Sequence, residues 1–199
     1  MAKRFFETFP ALILEDELKD LFEFAEVTAL KYNRDRTAIH VYLLCRRLIS
    51  KPQIYAVESK IEKQMFPDGD MKIRIFESFS LSEQYTPSYL VDVYKDSLFA
   101  EIKRRSDLDY HILMRADWKV ADDDSLLLTL EDSLWARNRA GELREWIQMV
   151  FYDRCAISIP VAVSFKERDT TAIEEEKKRA AKVRQAERRR SKIESQLIQ

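Results

Sequence analysis

The sequence predicts an α+β fold: two small helix-on-sheet units, each in the order strand, strand, helix, strand, followed by a charged helical tail. Three observations carry this. Apolar residues switch between a period of two and a period near 3.6, and do so in the same order twice. Turn-forming residues stand at the switches. Beyond about residue 166 the apolar residues thin to Ile173, Val183, Ile193, Leu197 and Ile198.

The first residues read as short amphipathic structure, with Phe5, Phe6 and Phe9 leading into Leu12 and Leu14, then Leu18, Leu21 and Phe22 at helical spacing. These aromatics are expected to cap a core rather than form a docking patch. Strands are predicted over Glu26 to Tyr32 and Thr37 to Leu43, joined by a turn at Asn33-Arg34-Asp35-Arg36. In the second strand Ile39, Val41 and Leu43 share one face, His40 and Tyr42 the other. Ser50 offers an N-cap and Pro52 an early helical position; Ile54, Val57, Ile61 and Met65 form the apolar stripe, with Glu58, Lys60, Glu62 and Lys63 opposite. Pro67-Asp68-Gly69-Asp70 turns the chain, and Met71, Ile73 and Ile75 alternate with Lys72 and Arg74 as a half-buried strand.

The second unit opens with Thr86 as cap and Pro87 at the first helical turn, then Leu90, Tyr94, Leu98 and Ile102 four apart. A shorter helical piece covers Leu108 to Met114. Trp118 to Val120 and Ser125 to Leu130 form a hairpin across Ala121-Asp122-Asp123-Asp124. Ser133 caps a long helix whose Leu143, Trp146, Ile147, Val150 and Phe151 follow a helical stripe. Ile157, Ile159, Val161, Val163 and Phe165 alternate as a last strand, and Pro160, lacking an N–H, assigns it to an edge or a bulge. The expected units are residues 1–80, 81–166 and, as a charged helix or linker, 167–199. The tail carries Glu174 to Glu176 early and its basic residues late, the order the helix macrodipole favours, and nothing in it reads as a domain end.

Composition narrows function. Charged residues make up 35% of the 199-residue chain with a net charge of -1, which describes ion-paired faces rather than a strong overall field. Two glycines, Gly69 and Gly141, cannot build a phosphate-cradling loop or a dinucleotide fingerprint. Cys45 and Cys155 stand alone, without zinc spacing, and fit a reducing compartment. Neither a signal peptide nor a membrane span is expected, and the localisation read from these features is cytoplasmic. Asp122 to Asp124 is the one dense acidic run of the folded part and falls where a turn belongs, so it reads as turn chemistry rather than a metal site. His40 and His111 have no second ligand nearby in sequence. No catalytic, cofactor or metal residue is therefore assigned. Candidate contacts to nucleic acid or to a protein partner are the basic clusters Arg46 and Arg47, Lys72 and Arg74, Lys103, Arg104 and Arg105, and in the tail Arg188, Arg189 and Arg190. A stacking platform for single strands is not evident beyond His40 and Tyr42.

Four stretches carry a resemblance: MAKRFFETFP at the start, RRLISKPQIYAVESKIEKQMFP from Arg46, SLSEQYTPSYLVDVYKDSLFAEIK from Ser80 and LTLEDSLWARNRAGELREWIQMVFYDRC from Leu128. In order and spacing they resemble the N-terminal region of the PolC-type α subunit of DNA polymerase III, the replicative polymerase of Gram-positive bacteria. The resemblance implies a parent DNA-directed polymerase with 3′–5′ exonuclease, whose catalytic domains and magnesium ions belong downstream. It implies a K-homology-like second unit without the GXXG clamp of that class. It also implies docking to replisome proteins, with clamp-loader, helicase-loading or primase components as partners, DNA reached through the full-length protein, and neither membrane nor small-molecule substrate. The alternative function is a module that binds single-stranded nucleic acid and assists template or primer engagement.

Overall fold

The computed structural model describes residues 2–167; the tail, with Arg188, Arg189 and Arg190, lies outside the described residues. The described chain is mixed α+β, with two small sheets and six helices. The first sheet has the order β1 (Lys3–Arg4), β2 (Glu26–Tyr32), β3 (Ala38–Cys45), β4 (Lys72–Phe79). Between β1 and β2 lie α1 (Phe5–Thr8) and α2 (Asp16–Phe22). β2 runs antiparallel to β1 and β3, while β4 returns parallel to β3 after the helix α3 (Lys51–Met65). The second sheet repeats this plan. After α4 (Pro87–Arg105) and α5 (Asp107–Met114) come β5 (Asp117–Val120) and β6 (Leu126–Glu131), antiparallel, then α6 (Leu134–Cys155) and β7 (Val161–Lys166), parallel to β6.

Local chemistry explains the boundaries. At the first hairpin, Asn33 Oδ1 accepts from the N–H groups of Thr37 (2.8 Å) and Ala38 (2.9 Å), which lets Arg36 take a left-handed φ of 55°. Ser50 and Gln53 form a capping box at the start of α3, and Pro52 sits in its first turn. Thr86, Ser106 and Ser133 each accept a backbone N–H at the start of α4, α5 and α6. The Asp122–Asp124 run is a turn: Ala121 N–H donates to Ser125 O (2.8 Å), and Asp123 Oδ1 accepts from Ser125 N–H (3.1 Å).

Three expectations are corrected. The first helical stripe is broken into α1 and α2, because Pro10 interrupts it, and Lys3–Arg4 pairs with β2 as a short strand. The last strand begins at Val161, not Ile157. Ala156 ends α6 in the left-handed region (φ 54°, ψ 26°), and Pro160 spends its only hydrogen-bonding group, the carbonyl, on Leu126 N–H (2.8 Å). β7 is at an edge, as Pro160 required. Finally, Glu58 does not belong to the solvated side of α3; it is buried.

Ala156 yields a prediction. Its side chain is exposed, so Ala156→Gly removes the left-handed strain without losing packing. The expected result is a stabilisation of roughly 1 kcal/mol, seen as a raised midpoint of thermal unfolding by circular dichroism.

The core is one continuous cluster running from Phe5 in α1 to Val161 in β7. α6 packs on both β4 and β7, and α3 packs on α4, so helices of the second half lean on the first sheet. A buried polar network crosses the same boundary. Glu77 of β4, with its side chain fully buried, accepts from Lys51 Nζ (2.7 Å) and Tyr94 Oη (3.1 Å) and lies 3.5 Å from Arg154 Nη1. Arg154 reaches on to Glu101 (2.7 Å), and Lys51 N–H donates to Ser97 Oγ (3.1 Å). Each buried charge is thus paired, as burial demands.

Candidate functional site

The first sheet has two unlike faces. Ile73, Ile75, Glu77 and Phe79 of β4 and Val41, Leu43 and Cys45 of β3 point into the core. On the other face, parallel register places His40 beside Arg74 and Tyr42 beside Phe76. Tyr42 and Phe76 stack, with ring centroids 5.3 Å apart and planes 20° from parallel, and His40 meets Phe76 edge-on at 5.1 Å. Lys31 Nζ lies 5.1 Å from the centre of the Tyr42 ring. Phe76 is 46% exposed.

Phe76 also borders a cleft of about 320 Å³ between β4, α3 and α4. Its lining brings together Arg74, Arg104 and Arg105 with Arg154, Lys51 and Tyr55. The Arg104 guanidinium stacks on Tyr55 at 3.9 Å and stands 3.6 Å from Glu58. Burial raises the Glu58 carboxyl above the usual carboxylate range, against the pull of Ile75 N–H, Arg74 and Arg104. Burial likewise raises the Tyr55 phenol, with the Glu101 charge adding to it.

Glu58 and Glu62 have a second task. β4 is the outer strand of its sheet, and its Ile73 and Ile75 N–H groups face away from β3. Glu62 Oε1 accepts from Ile73 N–H and Glu58 Oε1 from Ile75 N–H, both at 2.8 Å. α3 thereby seals part of an open sheet edge with carboxylates.

Of the basic residues singled out in the sequence, the structure unites Arg74, Arg104 and Arg105. Lys72 lies near them on β4, 3.5 Å from Glu62. Lys103 turns away and rests over the Tyr110 ring at 5.0 Å. Arg46 and Arg47 line a separate cleft of about 410 Å³ with Arg4, Leu21 and Phe24, where Arg46 stands 3.9 Å from Glu26. Sequence reasoning missed Phe76, Tyr55 and Lys31. Carrying the alternation of β4 two residues further would have put Phe76 beside Arg74; the charged Glu77 at an inward position hid that continuation.

The residues match a known family. Residues 4–75 match the family model for the DNA polymerase III polC-type N-terminus I. This stretch is similar to a PolC-type N-terminus. It begins at Arg4 in β1, contains α1 to α3 with β2 and β3, and reaches into β4 as far as Ile75. No curated protein matches the chain. The matched family is, by its description, the N-terminal part of a PolC-type DNA polymerase III.

Other titratable groups are held by structure. Burial, with the Glu77 charge adding to it, pushes the Cys45 thiol up to about 12; burial pushes Cys155 to about 12 as well, so neither is a ready nucleophile. Asp109, 1% exposed, sits well below the usual carboxylate range because Arg139 grips both its oxygens (2.9 and 2.7 Å). Among the described residues no group of three or more His, Cys, Asp or Glu is placed to hold a metal ion, and no helix is long and apolar enough to cross a membrane.

Proposed function

We propose that this chain is a non-catalytic docking module of a PolC-type replicative polymerase, acting in DNA replication through contacts with another replisome protein. The family match of residues 4–75 supports the setting. The observation that carries the docking role is an apolar ridge in the second half. Leu134 and Trp135, in the first turn of α6, are 73% and 61% exposed. They stand beside a groove of about 300 Å³ between α5 and α6, floored by Ile112 and Ala136 and walled by Leu108. A half-open groove next to a projecting tryptophan is the pattern of an interface anchor.

The occupant is a protein segment that inserts apolar side chains into the groove and covers Trp135. Clamp-loader, helicase-loading and primase components are the candidate partners, and the setting is the cytoplasm. The units 1–80 and 81–166 act together in this reading, because a single core and the Glu77 network join them. The magnesium-dependent polymerase and exonuclease chemistry belongs to the rest of the parent protein.

The test is retention of each purified candidate on the immobilised 199-residue chain. One of them is expected to bind, and Trp135→Ala is expected to weaken it by roughly 30-fold or more, the loss typical of a central tryptophan anchor. Retention of none of them, or a Trp135→Ala variant that binds as well as the original, removes the docking reading.

A further inference from the structure

We propose that the open face of the first sheet binds single-stranded nucleic acid, with bases stacked on Tyr42 and Phe76 and the phosphates drawn towards Lys31, Lys72 and Arg74. This site is independent of the Trp135 ridge. The argument starts from what covers the sheet. Helix α3 packs on the inner side of β4, whereas the rings of His40, Tyr42 and Phe76 form a row on the outer side. A row of planar rings fits any base, because every base has a π-face.

The charges around the rings separate this reading from a protein interface. Lys31 stands over Tyr42, Lys72 and Arg74 occupy alternate outward positions on β4, and Arg104 and Arg105 follow across the cleft that Phe76 borders. Cations interleaved with rings, of which Phe76 is exposed and His40 and Tyr42 are half-buried, are the combination that tracks a sugar–phosphate backbone, while the cores of protein interfaces are depleted of lysine. Glu58 and Glu62 face the same cations and neutralise part of them, at 3.9 and 3.8 Å from Arg74. Yet both carboxylates are already engaged by β4 N–H groups, and among the described residues Arg74 donates from a single guanidinium nitrogen, Nη1, to Ile73 O (2.9 Å). Its remaining donors are available to a phosphate. Stacking on a side chain needs a base that is free of its own stack, which sets the preference for single strands.

The experiment uses the full 199-residue chain and fluorescently labelled oligothymidylate and oligouridylate of about 12 nucleotides, a length within the span of one single-strand site. Binding is followed by anisotropy between about 50 and 200 mM salt, beside a duplex of the same length. Single strands are expected to bind more tightly than the duplex, and the two homopolymers tell DNA from RNA. Tyr42→Ala and Phe76→Ala are each expected to lower affinity by roughly 5- to 100-fold, the range for losing one stacked base. Arg74→Ala is expected to flatten the logarithmic salt slope by about 0.7, one phosphate contact on a single strand. Trp135→Ala is expected to leave oligonucleotide binding unchanged, which keeps this result separate from the docking test.

The basic tail attracts either form of nucleic acid by charge, so binding alone does not suffice. Equal affinity for duplex and single strand, no binding at low salt, or a folded Tyr42→Ala/Phe76→Ala double variant that binds as the original does would each overturn the site. Should that variant fail to fold, the His40 ring protons of the unaltered chain decide: a shift on titration with oligothymidylate or oligouridylate supports the site, and no shift at saturation with either removes it.

Discussion

Glu77→Ala is expected to destabilise the chain by roughly 3–5 kcal/mol, the cost of leaving buried charges without their partner. That is a large share of the 5–15 kcal/mol that usually holds a domain together. The residue has three partners from three helices: Lys51 at the start of α3, Tyr94 in α4 and Arg154 near the end of α6. Removing the carboxylate leaves the Lys51 ammonium, whose side chain is 7% exposed, without its ion-pair partner. Arg154 keeps Glu101 and is affected less. Burial already drives the Tyr94 phenol far above its ordinary pKa, so this hydroxyl stays a donor and cannot take over the role of an anion. Urea titration followed by circular dichroism measures the loss. The double change Lys51→Met/Glu77→Met, which removes both charges and keeps the volume, is expected to recover most of it. A Glu77→Ala variant as stable as the original would mean that the network contributes nothing to joining the two halves.

Phe5→Ala is the second large effect, expected at roughly 3–5 kcal/mol from lost burial and the cavity left behind. Phe5 is completely buried. Its ring lies 4.9 Å from that of Phe22 and 5.1 Å from that of Phe9, and its N–H donates to Ala25 O at 2.9 Å. The fourth residue of the described chain thus fastens α1 and α2 through its ring and the approach to β2 through its backbone N–H. Denaturant unfolding should show a lower midpoint with an unchanged slope. A loss below about 1 kcal/mol would instead place these aromatics at a surface that only a partner covers.

Much of this architecture was legible in the sequence because it rests on local signals. Asn33, Ser50, Thr86, Ser133 and the Asp122–Asp124 run each act within a few residues of themselves, and each stands where a turn or a helix start was expected. The repeated strand, strand, helix, strand order followed from periodicity. What stayed hidden was set by partners distant in sequence. Glu58 looks like a solvated residue on the polar side of α3 until β4 supplies an amide for it to accept from. Arg154 looks like an ordinary cation in the last turn of α6 until Glu101 holds it. Burial alone would lower its pKa, but that hydrogen bond and the nearby Tyr94 and Glu77 outweigh it and raise the value. The candidate binding face was half visible. His40 and Tyr42 were seen together on β3, but their third ring, Phe76, sits on a strand 34 residues further on, and only the parallel pairing of Tyr42 with Phe76 makes the row.

The carboxylates hooked onto Ile73 and Ile75 also constrain how other molecules approach. An incoming strand zips onto a sheet by offering carbonyls to vacant amides, and along this stretch of rim those amides are already answered from within. The proposed site on the broad side of this sheet relies on rings and cations and needs no backbone pairing at that rim. The same arrangement discourages copies of the chain from adding to one another strand by strand at that rim.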